Sequence, residues 1–252
     1  MQLVEALNFH RGDMAALIGA GGKTTTMFRL ARELREKGWK VLVTTTTKIF
    51  KPSKPHIDRL FLVDDLEALA HACGAIAAPV VIGAGASVSE DGKLLGLPAP
   101  WLDRLNDGKS FDAILVEADG AASRLLKVPG EGEPVIPARC KLTVWLMSIG
   151  VLGKPLDAAW IHRVEVATAL LACPPGNTID EERIVQLIKH RAGCWKGIPP
   201  ASRRVAVINQ VDSPEDIPPA VSLGKKLLAC GAGRVVLTSY KNEDPVREVL
   251  LQ

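Results

Sequence analysis

Short apolar runs alternate along this chain with stretches of helical periodicity, and turn residues punctuate the boundaries. Residues 14–18 form an unbroken apolar run that predicts a buried strand. It stops at Gly19-Ala20-Gly21-Gly22, and helical spacing then runs to residue 37, with Gly38 as the expected C-cap. Residues 39–43 read as the next strand, so the chain opens on a βαβ unit with a parallel pair. A strand at 59–63, a helix at 65–73 and a strand at 79–82 follow, the last ended tightly by Gly83-Ala84-Gly85. Residues 87–109 are turn-rich, with a small hairpin at Asp91-Gly92. Strands at 111–117, 142–147, 204–209 and 234–238 continue the pattern, with helices at 157–172, 180–189 (Thr178 as N-cap) and 218–230. The alternation predicts an α/β fold, a three-layer sandwich with a mostly parallel sheet. It fits one domain over residues 1–252, with the helical stretch at about 150–200 as an insertion or cap.

The junction between the first strand and first helix carries the strongest chemistry. Strand, glycine loop, Lys23-Thr24 and helix is the layout of a phosphate-binding loop, and hence of a P-loop NTPase-like sandwich. Gly19, Ala20, Gly21, Gly22, Lys23, Thr24 and Thr25 would surround phosphate oxygens, with Lys23 reaching the β- and γ-phosphates and Thr24 holding Mg²⁺. Leu17 stands where the ordinary pattern begins with glycine, so the loop is a shorter form similar to that of Mur-type peptide ligases. The next strand runs into Thr44-Thr45-Thr46-Thr47-Lys48, which places Thr46 and Lys48 at the sheet edge where ligands of open α/β sheets bind.

Residues 111–117 end in Glu117-Ala118-Asp119-Gly120, an apolar strand closing on carboxylates as a Walker-B strand does. Gly120 suggests a turn at Ala118, after which Glu117 and Asp119 would divide Mg²⁺ ligation and water positioning. Just beyond, Arg124 and Lys127 are cations able to stabilise charge on a transferring phosphate. A third signal is Asn209-Gln210-Val211-Asp212, similar to the Asn-Lys-x-Asp element with which GTP-binding proteins read guanine. Asn209 and Asp212 would then contact the base, with Gln210 in place of the usual lysine. His56 reads as a loop residue and His162 as a structural residue on its helix.

Composition narrows the partners. Apolar residues make up 47% of the 252 and charged residues 23%, ordinary for a globular protein, and the net charge of +3 argues for neither nucleic acid nor membrane binding. Glu5, His10, Arg11 and Asp13 interrupt any leader-like apolar core, so a cytoplasmic location is expected. The five cysteines are scattered without a Cys-x-x-Cys pair, which points to no zinc site and no disulfide framework.

The chain resembles the YqeC family, described as accessory proteins of selenium-dependent molybdenum hydroxylases. The resemblance rests on residues 19–25, 45–49 with Pro52, 116–120, Leu126-Lys127 with Pro129, 133–137, His162-Arg163 and 209–212. It implies a role in maturation, selenation or insertion of a molybdopterin-type cofactor, which the glycine loop and the Glu117-Asp119 pair would serve as an Mg²⁺-dependent NTPase using ATP or GTP. Its expected partners are a molybdenum hydroxylase or other cofactor-maturation proteins. Two other readings stay open: a nucleotide-gated binding chaperone that does not hydrolyse, and a Mur-like ATP-dependent ligase or kinase.

Overall fold

The computed structural model describes all 252 residues. In chain order, α1 (Leu3–Ala6), β1 (Asp13–Gly19), α2 (Lys23–Glu36) and β2 (Lys40–Thr45) open the fold. Next come β3 (Lys48–Phe50), β4 (Arg59–Leu62), α3 (Leu66–Gly74), β5 (Val80–Gly85), β6 (Lys93–Leu95) and α4 (Ala99–Asp107). Then follow β7 (Ala113–Glu117), β8 (Leu126–Lys127), β9 (Leu142–Ser148), β10 (Ile161–His162), α5 (Val164–Leu171) and α6 (Glu181–Lys189). The chain closes with β11 (Arg203–Asn209), α7 (Ile217–Ala229), β12 (Arg234–Thr238) and β13 (Val246–Leu251).

Nine strands form one sheet in the order β13-β12-β11-β9-β1-β7-β2-β5-β4, parallel throughout except for β13. β1 sits at its centre and every one of its residues is buried, because helices cover both faces and strands flank both edges. Alternate side chains divide between the two faces. Ala15 and Leu17 pack with Met27, Leu30 and Leu34 of α2, each buried side chain worth roughly 2 kcal/mol. On the other face, Met14 joins Leu69 of α3 and Leu102 of α4, while Ala16 and Ile18 join Ile184 of α6 and Leu223 of α7. The central strand and α2 are therefore fixed from both sides, which holds the intervening loop rigidly at the C-terminal edge of the sheet.

Several local expectations are corrected. β1 and β2 are not neighbours: β7 inserts between them and pairs with both, so the α2 crossover skips one strand. The whole of Val80–Gly85 is strand, with Gly83 and Gly85 making room for Leu60 and Leu94. The stretch 87–109 holds a helix, α4, started by prolines at its N-terminus. The small hairpin expected at Asp91-Gly92 is present, with the Ser89 N–H bonded to the Lys93 carbonyl and an antiparallel Val88–Leu94 bridge, and β6 also pairs with β3. No helix spans 157–172. Leu125 and Leu126 donate to the Trp160 carbonyl, β10 pairs with β8, and Arg163 at φ 64° breaks the backbone before α5 begins. Asp180, not Thr178, caps α6, accepting from the Arg183 N–H at 2.9 Å. No helix is long and apolar enough to cross a membrane.

Candidate phosphate-binding site

The glycine loop is built by close approach. At Gly21 φ is +74° and a Cβ would lie 2.5 Å from the Ser148 amide nitrogen of β9; at Gly22 φ is +131° and a Cβ would meet the Asn209 side-chain amide. Three N–H groups of the loop are already bonded. Gly19 donates to Asp119 Oδ2 at 2.9 Å, Ala20 to the Leu146 carbonyl at 2.9 Å and Gly21 to the Arg124 carbonyl at 3.0 Å. The first N–H within the helix to find a backbone carbonyl is that of Thr26, bonded to Gly22 O at 2.9 Å. The N–H groups of Gly22, Lys23, Thr24 and Thr25 have no partner in the chain. A candidate anion cradle therefore starts at Gly22 rather than Gly19, where free donors and the positive end of α2 coincide. Gly19 and Ala20 shape the turn, and their N–H groups are not available to phosphate.

Beneath the cradle lies a chain of buried charges. Lys23, 4% exposed, bonds the Gly19 carbonyl at 2.6 Å and sits 3.1 Å from Asp119 Oδ1 and 3.8 Å from Glu117 Oε1. That Asp119 oxygen is a close ionic neighbour of Lys23 yet has no partner in hydrogen-bonding geometry. Asp119 Oδ2 is 3.6 Å from Lys127 Nζ. Lys127 is fully buried, bonds the Gly120 carbonyl and lies 3.0 Å from Glu133 Oε1; Arg163 meets Glu133 Oε2 at 2.9 Å. Burial opposes the Glu133 charge, but hydrogen bonds from Arg163, Lys127 and the Gly130 N–H outweigh it and hold the carboxyl down to about 2. Burial pushes the Glu117 carboxyl up, only partly countered by Lys23 and by the Thr24 hydroxyl bonding Oε2 at 2.8 Å.

No turn at Ala118 is needed to bring Glu117 and Asp119 together. The Ala118 N–H continues the ladder to Leu17 O at 3.0 Å, and residues two apart on an extended strand share a face. Their tasks differ, however. Glu117 lines the cavity in front of the loop, whereas Asp119 is turned behind Lys23 and holds it.

That cavity has a volume of about 530 Å³. It brings together Gly21, Gly22, Lys23, Thr24, Thr25, Lys48, Glu117 and Arg124 among the expected residues. Arg124 bonds the Ala158 carbonyl through Nε at 2.6 Å, which aims its guanidinium along the rim. Thr46, Lys127, Asn209 and Asp212 do not line it. The Thr46 hydroxyl bonds the Val135 carbonyl at 2.7 Å. Asn209 braces the loop, donating to Gly21 O at 2.6 Å and accepting from the Thr238 hydroxyl at 2.9 Å. Asp212 accepts from Ser239 at 2.6 Å and pairs with Lys241 at 2.8 Å; burial opposes its charge, but these partners hold its carboxyl below the usual range. Sequence reasoning missed Phe50, Lys93 and His162 as cavity residues. For His162, burial first and then Lys127 and Arg163 hold the imidazole below its usual value, so it is neutral near pH 7. The helix read across 157–172 hid it; the signal was the short extended pair 126–127 and 161–162.

No group of three His, Cys, Asp or Glu side chains could hold a metal ion by itself. Mg²⁺ at a phosphate site needs only one or two carboxylates, the remaining ligands being phosphate and water. The Thr24 hydroxyl beside the Glu117 carboxylate is such a hard-oxygen donor pair, whereas both Asp119 oxygens face Lys23, Lys127 or the Gly19 N–H.

These features define a mixed α/β protein with a large, mostly parallel sheet and, after its central strand, a helix N-terminus with free N–H groups. A family model described as "YqeC protein" matches residues 15–165. An Escherichia coli (strain K12) protein described as "Uncharacterized protein YqeC" is 32% identical over 206 residues, covering 82% of this chain and 79% of the relative. The chain belongs to the YqeC family.

Proposed function

We propose that this protein has a P-loop NTPase-like fold and binds a nucleoside triphosphate with Mg²⁺ at the start of α2, hydrolysing it. The observation that carries this reading is the run of unpartnered N–H groups at Gly22–Thr25, set beside Lys23 and the Thr24–Glu117 pair. The N–H groups and Lys23 bind phosphate oxygens. Thr24 and Glu117 would hold Mg²⁺, whose chemistry there is to neutralise phosphate charge. Arg124 faces the cavity with guanidinium donors for charge developing on the transferred group. His162 presents a neutral imidazole that can take a proton from the attacking water. The cellular process we assign to this chemistry is maturation, selenation or insertion of a molybdenum cofactor, the role that the family resemblance implies. Phosphate release tests it: wild type should show Mg²⁺-dependent release that Lys23→Ala and the less buried Thr24→Ala both abolish or sharply reduce. Undiminished release in both variants refutes the assignment.

One observation favours a second reading, nucleotide-gated binding without turnover. The ion-pair chain from Lys23 through Asp119, Lys127 and Glu133 to Arg163 joins the phosphate site to a separate segment of the fold. Nucleotide binding with no phosphate release, even with a client protein present, supports it; measurable turnover excludes it.

A further inference from the structure

We propose that the nucleoside end of the bound nucleotide lies in a second groove, on the α2 side of the cradle, with its base against Phe50 and the Phe28–His56 pair. This deepens the nucleotide-binding reading above and rests on it. The groove has a volume of about 560 Å³, within the range of small-ligand sites, and shares Thr24, Thr25 and Phe50 with the phosphate cavity. Positions 25, 28, 29, 32 and 35 fall on one face of α2 and form one wall; the segment 50–56 forms the other.

The two cavities differ in chemistry. Lys48, Lys93, Arg124 and His162 line the phosphate cavity, which suits anionic groups. The second groove presents ring faces: Phe28 stacks on His56 with centroids 4.6 Å apart and planes 18° from parallel, and Phe50 is 72% exposed. No carboxylate lines it. Arg29 is held by Glu33 at 2.8 Å and Arg35 by Asp58 at 3.1 Å. Arg32, by contrast, has only Glu36 at 3.7 Å, and Lys51 pairs with no carboxylate, so two cations stay available for a sugar-phosphate. A triphosphate seated on the N–H groups of residues 22–25 meets the His56–Phe28 stack and Phe50 on this side, whereas the phosphate cavity offers only His162 beside the shared Phe50.

Base selection follows. Asp212 lines neither cavity and both its oxygens are engaged, by Ser239 and Lys241. The groove has no side-chain carboxylate to accept from guanine N1 and N2. Recognition by stacking tolerates any base, so ATP and GTP bind alike.

Calorimetric titration of ATP, GTP and inorganic tripolyphosphate, each with Mg²⁺, tests this on wild type, His56→Ala and Phe50→Ala. Both side chains are exposed, so the variants fold. Each variant should weaken ATP and GTP by roughly tenfold, to the same extent, and His56→Ala, outside the phosphate cavity, should leave tripolyphosphate unchanged. Three results overturn the proposal while leaving the phosphate site standing: ATP no tighter than tripolyphosphate, ATP affinity unchanged in both variants, or a GTP preference lost in Asp212→Ala. If neither tripolyphosphate nor any nucleotide binds wild type, the nucleotide reading fails and this inference with it.

Discussion

Replacing Lys23 with methionine should destabilise the protein even with no nucleotide present. A phosphate-loop lysine exposed to water would be neutral to stability, but this one is 4% exposed and holds two carboxylates and a carbonyl. Breaking a buried ion pair by removing one partner costs about 3–5 kcal/mol, because the other charge is left without compensation. The lower end applies here, since each carboxylate has an escape. Asp119 keeps the Gly19 N–H at 2.9 Å and Lys127 at 3.6 Å. Glu117, already pushed up by burial, can take a proton. A loss of about 3 kcal/mol corresponds to a fall in Tm on the order of 10 °C for a chain of this size. Urea unfolding followed by tryptophan fluorescence measures it.

The pH dependence sharpens that expectation. The folded-state pKa of Glu117 is raised above its unfolded value, first by burial. The folded protein therefore binds more protons in the window between the two, and stability falls as pH rises through it. Lys23 is the largest influence pulling Glu117 down, so its removal extends the window upward. The deficit of Lys23→Met should accordingly be larger at pH 8 than at pH 5. Adding Asp119→Asn should recover part of the loss, because the carboxylate that Lys23 compensates is then gone. A Lys23→Met deficit below about 1 kcal/mol, the scale of an exposed pair, would refute the reasoning.

Two further outcomes follow from the same geometry. Gly21→Ala should cost at least about 2 kcal/mol more than Gly38→Ala. Both have positive φ, but only at Gly21 does the new Cβ strike backbone, that of Ser148; paired urea curves decide it, and equal losses would sink the steric account. Glu133→Gln should weaken the protein near pH 7 but progressively less in acid. Its carboxyl is held to about 2 in the fold, so its stabilisation is complete above the unfolded value of 4.5 and disappears as pH falls from there toward about 2. A wild-type to variant gap that stays constant between pH 7 and pH 3 contradicts this.

Much of the site was legible because it is local. Strand, glycines, Lys23 and helix are contiguous, and Glu117 lies where an apolar strand stops, so composition and spacing expose both. What the sequence hid was order in space. Adjacent-strand reasoning paired β1 with β2, while β7, about seventy residues later, fits between them because its Ala-Ile-Leu-Val run can be buried on both faces. Which N–H groups remain free was equally invisible, since the partners of Gly19, Ala20 and Gly21 come from Asp119, Leu146 and Arg124. His162 was misplaced for a backbone reason. The run 157–172 has helical periodicity, but Arg163 in the left-handed region and the Trp160 carbonyl bonded to Leu125 and Leu126 override it.

Arg163 shows why the distant pieces form one electrostatic unit. A left-handed conformation at a non-glycine residue costs about 1–3 kcal/mol and persists only where surroundings over-determine it. Here they do: Glu133 holds the guanidinium at 2.9 Å, Val166 and Ala167 donate to the Arg163 carbonyl, and a Cβ at Gly130 would sit 2.8 Å from the guanidinium carbon. The Arg163 backbone in turn fixes His162 beside Lys127 in the parallel β8–β10 pair. From Lys23 to Arg163 there are three cations and three carboxylates, a neutral set with its charges in contact. An anion at the helix terminus that drew on Lys23 would leave Asp119 with Lys127 as its one remaining cation beside the Gly19 N–H, and Lys127 is shared with Glu133. A phosphate at Gly22–Thr25, if it draws on Lys23, would thereby act through contacts already made on Arg163, the residue whose backbone sets the His162 imidazole.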